Sequence, residues 1–227
     1  IINPNRLDDT SDYKQLAAVG VTFLFLIYLR KKLREFNKFN EIKEPNLLSY
    51  LDLVALGTVC DVVELKRYNR FFVQKGLELI HKRYHKGIAK LIDNSKISSS
   101  PTSQDLGFIV GPQINAASRI DDSSLASKLL ISNDIEQVES ISRKLFLLNE
   151  KRKLIESQIL DDANNQAANQ SSSNFILVFG NNWHQGVLGI IASKIKDIYY
   201  KPTIVISFSN NIGVGSARSI ENVDLGK

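Results

Sequence analysis

LDLVALGTVCDVVEL, residues Leu51 to Leu65, has an apolar run (Leu51, Leu53, Val54, Ala55, Leu56) that ends in Gly57-Thr58, and an acid, Asp61, sits between Cys60 and Val62-Val63. A carboxylate with apolar neighbours on both sides is expected to be buried, and an unpaired buried carboxylate costs several kcal/mol. It is therefore neutralised, paired or bound to a metal. An Asp at a turn or helix cap, satisfied by backbone N–H groups, fits the same pattern. The run from Asn46 to Leu56 suits a helix or a buried strand, because a short apolar stretch has no decisive period.

Around this stretch the chain reads as an α/β protein. Ile1-Ile2 before Asn3-Pro4-Asn5 has the pattern of a strand entering a turn. Leu16, Val19, Gly20, Phe23, Leu24 and Ile27 predict a helix over Tyr13 to Phe36, with Gly20 marking close packing. Helical spacing returns over Arg67 to Ile80. The basic cluster His81 to Lys90 reads as a solvated face, and Ser95 to Ser103 as a loop. A long charge-rich helix is predicted from Asp134 to about Asn164, striped by Ile135, Val138, Ile141, Leu145, Leu148, Ile155 and Ile159, followed by a polar linker to Asn174. Beyond it come a buried strand (Phe175 to Phe179), a turn with Trp183 and His184, a helix (Val187 to Tyr200), a strand (Thr203 to Phe208) and the Gly-rich GVGSARS, residues 213 to 219. Strand, helix, strand, strand predicts a second, smaller α/β domain.

Composition narrows the chemistry. The 227 residues carry one Cys and three His, which excludes a disulfide framework and a multi-cysteine zinc site. Any metal site then uses mostly oxygen ligands, as magnesium and manganese prefer. A net charge of +5 suits a polyanionic partner. The apolar segment Val19 to Leu29 is short of the roughly 20 residues that cross a bilayer, so no membrane association is expected and a cytoplasmic setting is. With no Met at position 1, the chain reads as an internal piece of a longer protein.

Several side chains are candidates for chemistry. In GVGSARS, glycines let a phosphate approach the backbone, Ser216 can donate to it and Arg218 can bind it bidentately; a β-bulge is the plainer alternative. His184 suits a phosphate ligand, an acid/base group or a hydrogen-bonded loop residue. Trp183 suits a core anchor or a base-stacking platform. Asn115 and Arg119 follow a Gly-Pro turn, where Arg119 can bind phosphate or pair with Asp121 or Asp122.

Six phrases in order, INPNR, KQLAAVGVTF, LDLVALGTVCDVVEL, GPQINAASR, NWHQGVLGIIASKI and GVGSARSI, resemble the RecJ-type 5′→3′ single-strand-specific exonucleases of the DHH phosphoesterase superfamily. The resemblance implies the rear of a DHH catalytic domain over residues 1–133, a bridging helix and linker over 134–170, and an incomplete DHH-associated domain over 171–227. It implies hydrolysis of single-stranded DNA from the 5′ end in repair and recombination, through a two-metal Mn2+ or Mg2+ site. Asp61 matches the last metal-binding acid of the family and its catalytic centre. Ser216 and Arg218 match the phrase that grips the nucleic-acid phosphate, while Arg119, Asn115 and His184 fall in phrases facing the same cleft. The family's Asp-x-Asp, middle Asp and Asp-His-His phrases are absent from these residues, so most metal ligands are expected on a missing N-terminal portion of the same protein, and these residues alone are expected to be inactive. Gln113 stands where the family commonly has Arg, Ser118 where it has Gly, and Cys60 where it has Ala. A superfamily phosphoesterase of nanoRNA or cyclic dinucleotides, and a non-catalytic nucleic-acid-binding remnant, are the alternative readings.

Overall fold

The computed structural model describes residues 2–97, 100–170 and 172–226. It divides into two compact units. The first takes in the chain up to Ile114 together with Ser127–Arg143, and the second Asn115–Ala126 together with the chain from Lys144 onward. The protein is a helix-rich α/β fold whose described strands form one three-stranded sheet in the second unit.

In the first unit the Leu51 stretch is a helix, α2 (Leu51–Cys60). The Asn46 side chain accepts from Leu48 N–H and starts a short 3₁₀ turn, Leu47–Tyr50, which feeds into it. The helix is apolar all round because neighbours flank it on two sides: α1 (Ala18–Glu35) and α3 (Arg67–His81). Leu16, Phe23, Leu47, Leu51, Val54 and Phe72 form their shared core. At the closest approaches a Cβ added to Gly57 would lie 2.8 Å from Val19 Cγ1, and one added to Gly76 would lie 2.2 Å from Ala55 Cβ and 2.3 Å from the Leu51 carbonyl oxygen.

Gly20, expected to mark close packing, has only ordinary contacts at 3.5–3.6 Å for an added Cβ. Gly76→Ala is therefore expected to cost about 3 kcal/mol through a clash with backbone. Gly20→Ala is expected to be neutral or to stabilise by up to about 1 kcal/mol. Urea unfolding of the two variants checks this, and equal midpoints would refute the packing assignment.

The predicted Gly-Pro turn is instead the start of a helix. A three-residue helix, α5 (Ser103–Asp105), runs into a π-type turn, Leu106–Val110, and on into α6 (Gly111–Ile120). Pro112 follows this π-type turn and has no N–H to donate into it. The basic cluster after α3 is largely paired within the unit rather than merely solvated. Lys86 donates to Asn133 O, Lys90 pairs with Glu139 and Arg83 with Asp93. This cluster leads into α4 (Lys86–Asn94). The strand expected at Ile1-Ile2 lies at Ile1 outside the described residues, and Ile2 is exposed and outside any strand. Ser98 and Ser99 of the expected loop also lie outside them.

After α7 (Ser124–Ile131) the long helix is α8 (Ile135–Ala168), with 34 residues. Its stripe is buried at Val138, Ile141, Leu145 and Ile159, whereas Ile135 is exposed. The expected linker is partly helix: α8 continues four residues beyond Asn164, because Ala163 and Ala167 are fully buried in the second core. Ser171 of that stretch is outside the described residues.

In the second unit β1 (Ile176–Asn181) pairs in parallel with β2 (Thr203–Ser209), Ile176 opposite Thr203, through the crossover helix α9 (Gln185–Tyr199). A two-residue turn, Asn210-Asn211 with φ of 50° and 61°, suits a type I′ hairpin to the antiparallel β3 (Ile212–Arg218). The outer edge of β1 is met by side chains from the end of α8 and the turn after it. Gln170 exchanges two hydrogen bonds with the Leu177 backbone (2.8 and 3.0 Å), and Gln166 two with that of Phe179 (2.8 and 3.0 Å). Trp183 is half-buried against this core and covers Gly180, and its carbonyl accepts from Ser207 Oγ (2.7 Å), so the indole is a core anchor.

Candidate functional site

Each unit presents one candidate site. In the first, α2 ends at Asp61, whose N–H donates to Gly57 O (3.0 Å). Contrary to the expectation of burial, the Asp61 side chain is exposed. Its apolar neighbours do not bury it: Val62 is itself exposed and takes the left-handed conformation (φ 57°), a costly one for a β-branched residue. Cys60 packs its sulfur against Gly111 and Leu106 O, and burial raises its thiol pKa, which keeps it protonated. The carboxylate lines a cleft of about 480 Å³ with Asn3, Asn5 and Thr22. Among the described residues no hydrogen bond or ion pair engages it, so both oxygens are open to an external partner. Nor do the described residues hold any cluster of three or more His, Cys, Asp or Glu side chains suited to a metal ion. The residues present therefore do not make a two-metal centre; Asp61 fits one ligand of such a centre.

The buried acid of this unit is Asp52, fully inaccessible in the first turn of α2. Its carboxylate meets His85 Nδ1 and also accepts from Leu53 N–H (2.8 Å). His85 precedes α4 and is packed by Tyr50 and Tyr84. The pairing of residues 33 apart gave no local signal in the sequence. Gln113 is buried as well: its amide donates to Ser95 Oγ (2.7 Å) and Ile109 O (3.1 Å).

In the second unit Arg119, Ser216 and Arg218 converge on the first turns of α9. Arg119 donates to Gly186 O (3.0 Å). A Cβ on Gly186 would lie 2.0 Å from Arg119 O, so only glycine allows this approach. Three residues on, Gly189 faces Arg218 and Ser216, with the Arg218 guanidinium 3.0 Å and Ser216 Oγ 3.3 Å from where a Cβ would stand. Arg218 donates to Ser216 Oγ (3.2 Å) and Ala217 O (2.7 Å), which leaves the Ser216 hydroxyl proton for an acceptor. Arg119 lies below the usual arginine range, first because of burial and then through Arg152 and Arg218, with Glu156 opposing. Asp121 pairs with Lys144 (2.9 Å). His184 caps α9: its Nδ1 accepts from Gly186 N–H (3.2 Å). The neutral ring then carries its proton on Nε2, where it can donate to an anion. Asn115 is exposed on α6, its carbonyl accepting from Ser118 Oγ. Two guanidinium groups, an imidazole, a free hydroxyl and a helix N-terminus make a set suited to phosphate oxygens.

Sequence reading missed Arg152, Glu156 and Lys194 near this site. The i,i+4 spacing of Arg152 and Glu156 on a charge-rich helix resembles an ordinary surface pair, Lys194 comes from a different helix, and only the adjacency of Glu156 to the apolar Ile155 hints at burial.

Residues 172–227 match the DHHA1 domain family. Over 99% of its length the chain is similar to the single-stranded-DNA-specific exonuclease RecJ, at 39% identity in Haemophilus influenzae and 38% in Escherichia coli K12, of which it covers 40% and 41%. The fold is that of RecJ from Thermus thermophilus in complex with Mg2+ (TM-score 0.79, 27% identity, 98% of this chain and 32% of that one). It also matches an exonuclease RecJ bound to manganese (TM-score 0.79, 28% identity, 96% and 52%). The chain thus spans about 40% of the length of these curated relatives, and the resemblance read from its sequence phrases holds along nearly all of it. Among the described residues no helix is long and apolar enough to cross a membrane.

Proposed function

We propose that these residues serve a cytoplasmic, metal-dependent exonuclease that hydrolyses single-stranded DNA from the 5′ end in repair and recombination. Residues 1–133 are read as the rear of its catalytic domain, 134–170 as bridging helix and linker, and 171–227 as the DHH-associated domain. The observation that carries the proposal is the convergence of Arg119, Ser216 and Arg218 on the start of α9, in a chain similar to RecJ over 99% of its length.

Arg218 and Arg119 would hold phosphate oxygens, with Ser216 and His184 Nε2 donating to them and Asn115 at the margin. Asp61 would contribute one carboxylate to a Mn2+ or Mg2+ centre whose other ligands lie outside these residues. Such a centre, when bound, supplies Lewis-acid activation of water. These residues alone would bind a single strand without degrading it.

The test is anisotropy titration of single-stranded DNA with a 5′-phosphate. Arg218→Ala is expected to weaken binding about tenfold and to flatten its dependence on salt by roughly one counter-ion. Binding unchanged by Arg218→Ala would remove the phosphate assignment. Tighter binding of short oligoribonucleotides than of DNA would favour a nanoRNA phosphoesterase instead.

A further inference from the structure

Glu156 is a buried carboxylate, 6% exposed, in the helix that lies beside the arginine cluster of the second unit. It is shared by two cations from two helices: Arg152 on one oxygen, and Lys194 of α9 on the other at 2.6 Å. Arg152 is steadied in turn by Asn149 Oδ1 (3.1 Å). The field of Glu156 reaches Arg119, opposing the repulsion that Arg152 and Arg218 exert on it. Both groups bear on one helix: Arg119 holds α9 at Gly186 O (3.0 Å), and Arg152 is tied to α9 through Glu156 and Lys194, so that positive charge gathers along α9 with Glu156 as a carboxylate beside it. Like charges brought together in a partly buried place repel strongly, so such a cluster needs an anion to hold it.

We infer that Glu156 is a built-in counter-ion: it holds the arginine cluster assembled before any phosphate arrives, and by repelling that phosphate it sets the affinity of the site. Arg152 and Lys194 are positioning residues in this arrangement. Lys194, about half exposed, draws part of the Glu156 charge away from the arginines and leaves them free to grip a ligand. This rests on the phosphate reading of the site and adds its tuning. The pre-assembled cluster spares the ligand the work of gathering the arginines, and the internal carboxylate keeps the bound phosphate from being held too tightly to be released. A residue that only braced the fold would affect stability and leave ligand preference alone.

The experiment uses the 227-residue chain and two oligodeoxythymidylates, identical except for a 5′-phosphate or a 5′-hydroxyl. Glu156→Gln keeps the shape, removes the charge and leaves an acceptor oxygen for one of the two cations. It is expected to raise the preference for the phosphorylated strand on the order of fivefold. Its unfolding midpoint without ligand should fall, and inorganic phosphate should restore more of it than in the unsubstituted chain. Lys194→Met is expected to lower the preference about twofold to threefold, because Glu156 then acts on the arginines undivided. Lys196→Met, on the same helix but paired with Asp197, is the control and should leave it unchanged.

A preference unchanged or lowered by Glu156→Gln overturns the inference. Should Glu156→Gln not fold, an equal preference in Lys194→Met and Lys196→Met overturns it. If the unsubstituted chain shows no preference for the phosphorylated strand, the phosphate reading itself has failed and the counter-ion role falls with it.

Discussion

Asp61→Ala is expected to abolish manganese-dependent degradation of single-stranded DNA by a chain that includes the length its relatives have, while leaving the fold as stable as before. The two halves of this expectation have separate causes. The side chain is exposed and makes no hydrogen bond or ion pair among the described residues, so its removal breaks nothing, and the unfolding midpoint should shift by no more than about 0.5 kcal/mol. What positions the carboxylate is backbone: the end of α2, the left-handed Val62 and the packing of Cys60 against Gly111. A group held so firmly with both oxygens unoccupied suits a ligand role. Loss of a supporting contact around a metal already costs 10- to 100-fold, and loss of a ligand at least about 100-fold. Manganese titration by calorimetry gives a readout independent of turnover, and affinity should fall in parallel. Hydrolysis that survives the substitution at near-normal rate would show that Asp61 is only the last residue of a helix.

His85→Ala should be the most damaging single substitution for stability in the first unit, by about 3–5 kcal/mol. The cost lies less in the missing imidazole than in what it leaves behind. Asp52 is fully inaccessible, and among the described residues its carboxylate has, apart from His85, only Leu53 N–H for a partner. A buried carboxylate deprived of its main partner bears its desolvation nearly unrelieved. The converse change leaves no buried charge at residue 52, and His85 keeps some contact with water, so Asp52→Asn should cost less, about 1–2 kcal/mol. The double variant should be markedly less unstable than the sum of the single ones, because the carboxylate that suffers is gone. Additive losses in urea unfolding would mean that the two residues act separately, and the pairing across 33 positions would have no energetic meaning.

The sequence announces what depends on local pattern and hides what depends on distant partners. The period of Val138, Ile141, Leu145 and Ile159 is visible because a helix must turn one face to its core, and the strands around Val178 and Val205 are visible because they are apolar and short. Arg119, Ser216, Arg218 and His184 are legible as residue types, and the structure brings the first three to the start of α9 with His184 as its cap. Burial of Asp61 is expected from its sequence neighbours and not found, because adjacency in sequence is not adjacency in space. Asp52 is hidden for the opposite reason, since an acid early in a helix looks like an ordinary helix-dipole partner. Gln113 and Glu156 show the same limit, being polar residues whose partners come from other elements.

The two glutamines that face β1 have a mechanical consequence. Gln166 in the last turn of α8 and Gln170 in the turn just after it meet Phe179 and Leu177, two residues or about 6.7 Å apart along the strand, like teeth in a rack. Moving α8 by a single residue would swing the Gln166 amide through about 100° and break its two bonds to Phe179, and would draw Gln170 off Leu177. The end of α8 and the sheet are therefore keyed: a push or twist delivered along that helix is passed to β1, and through β2 to β3, the strand that carries Ser216 and Arg218.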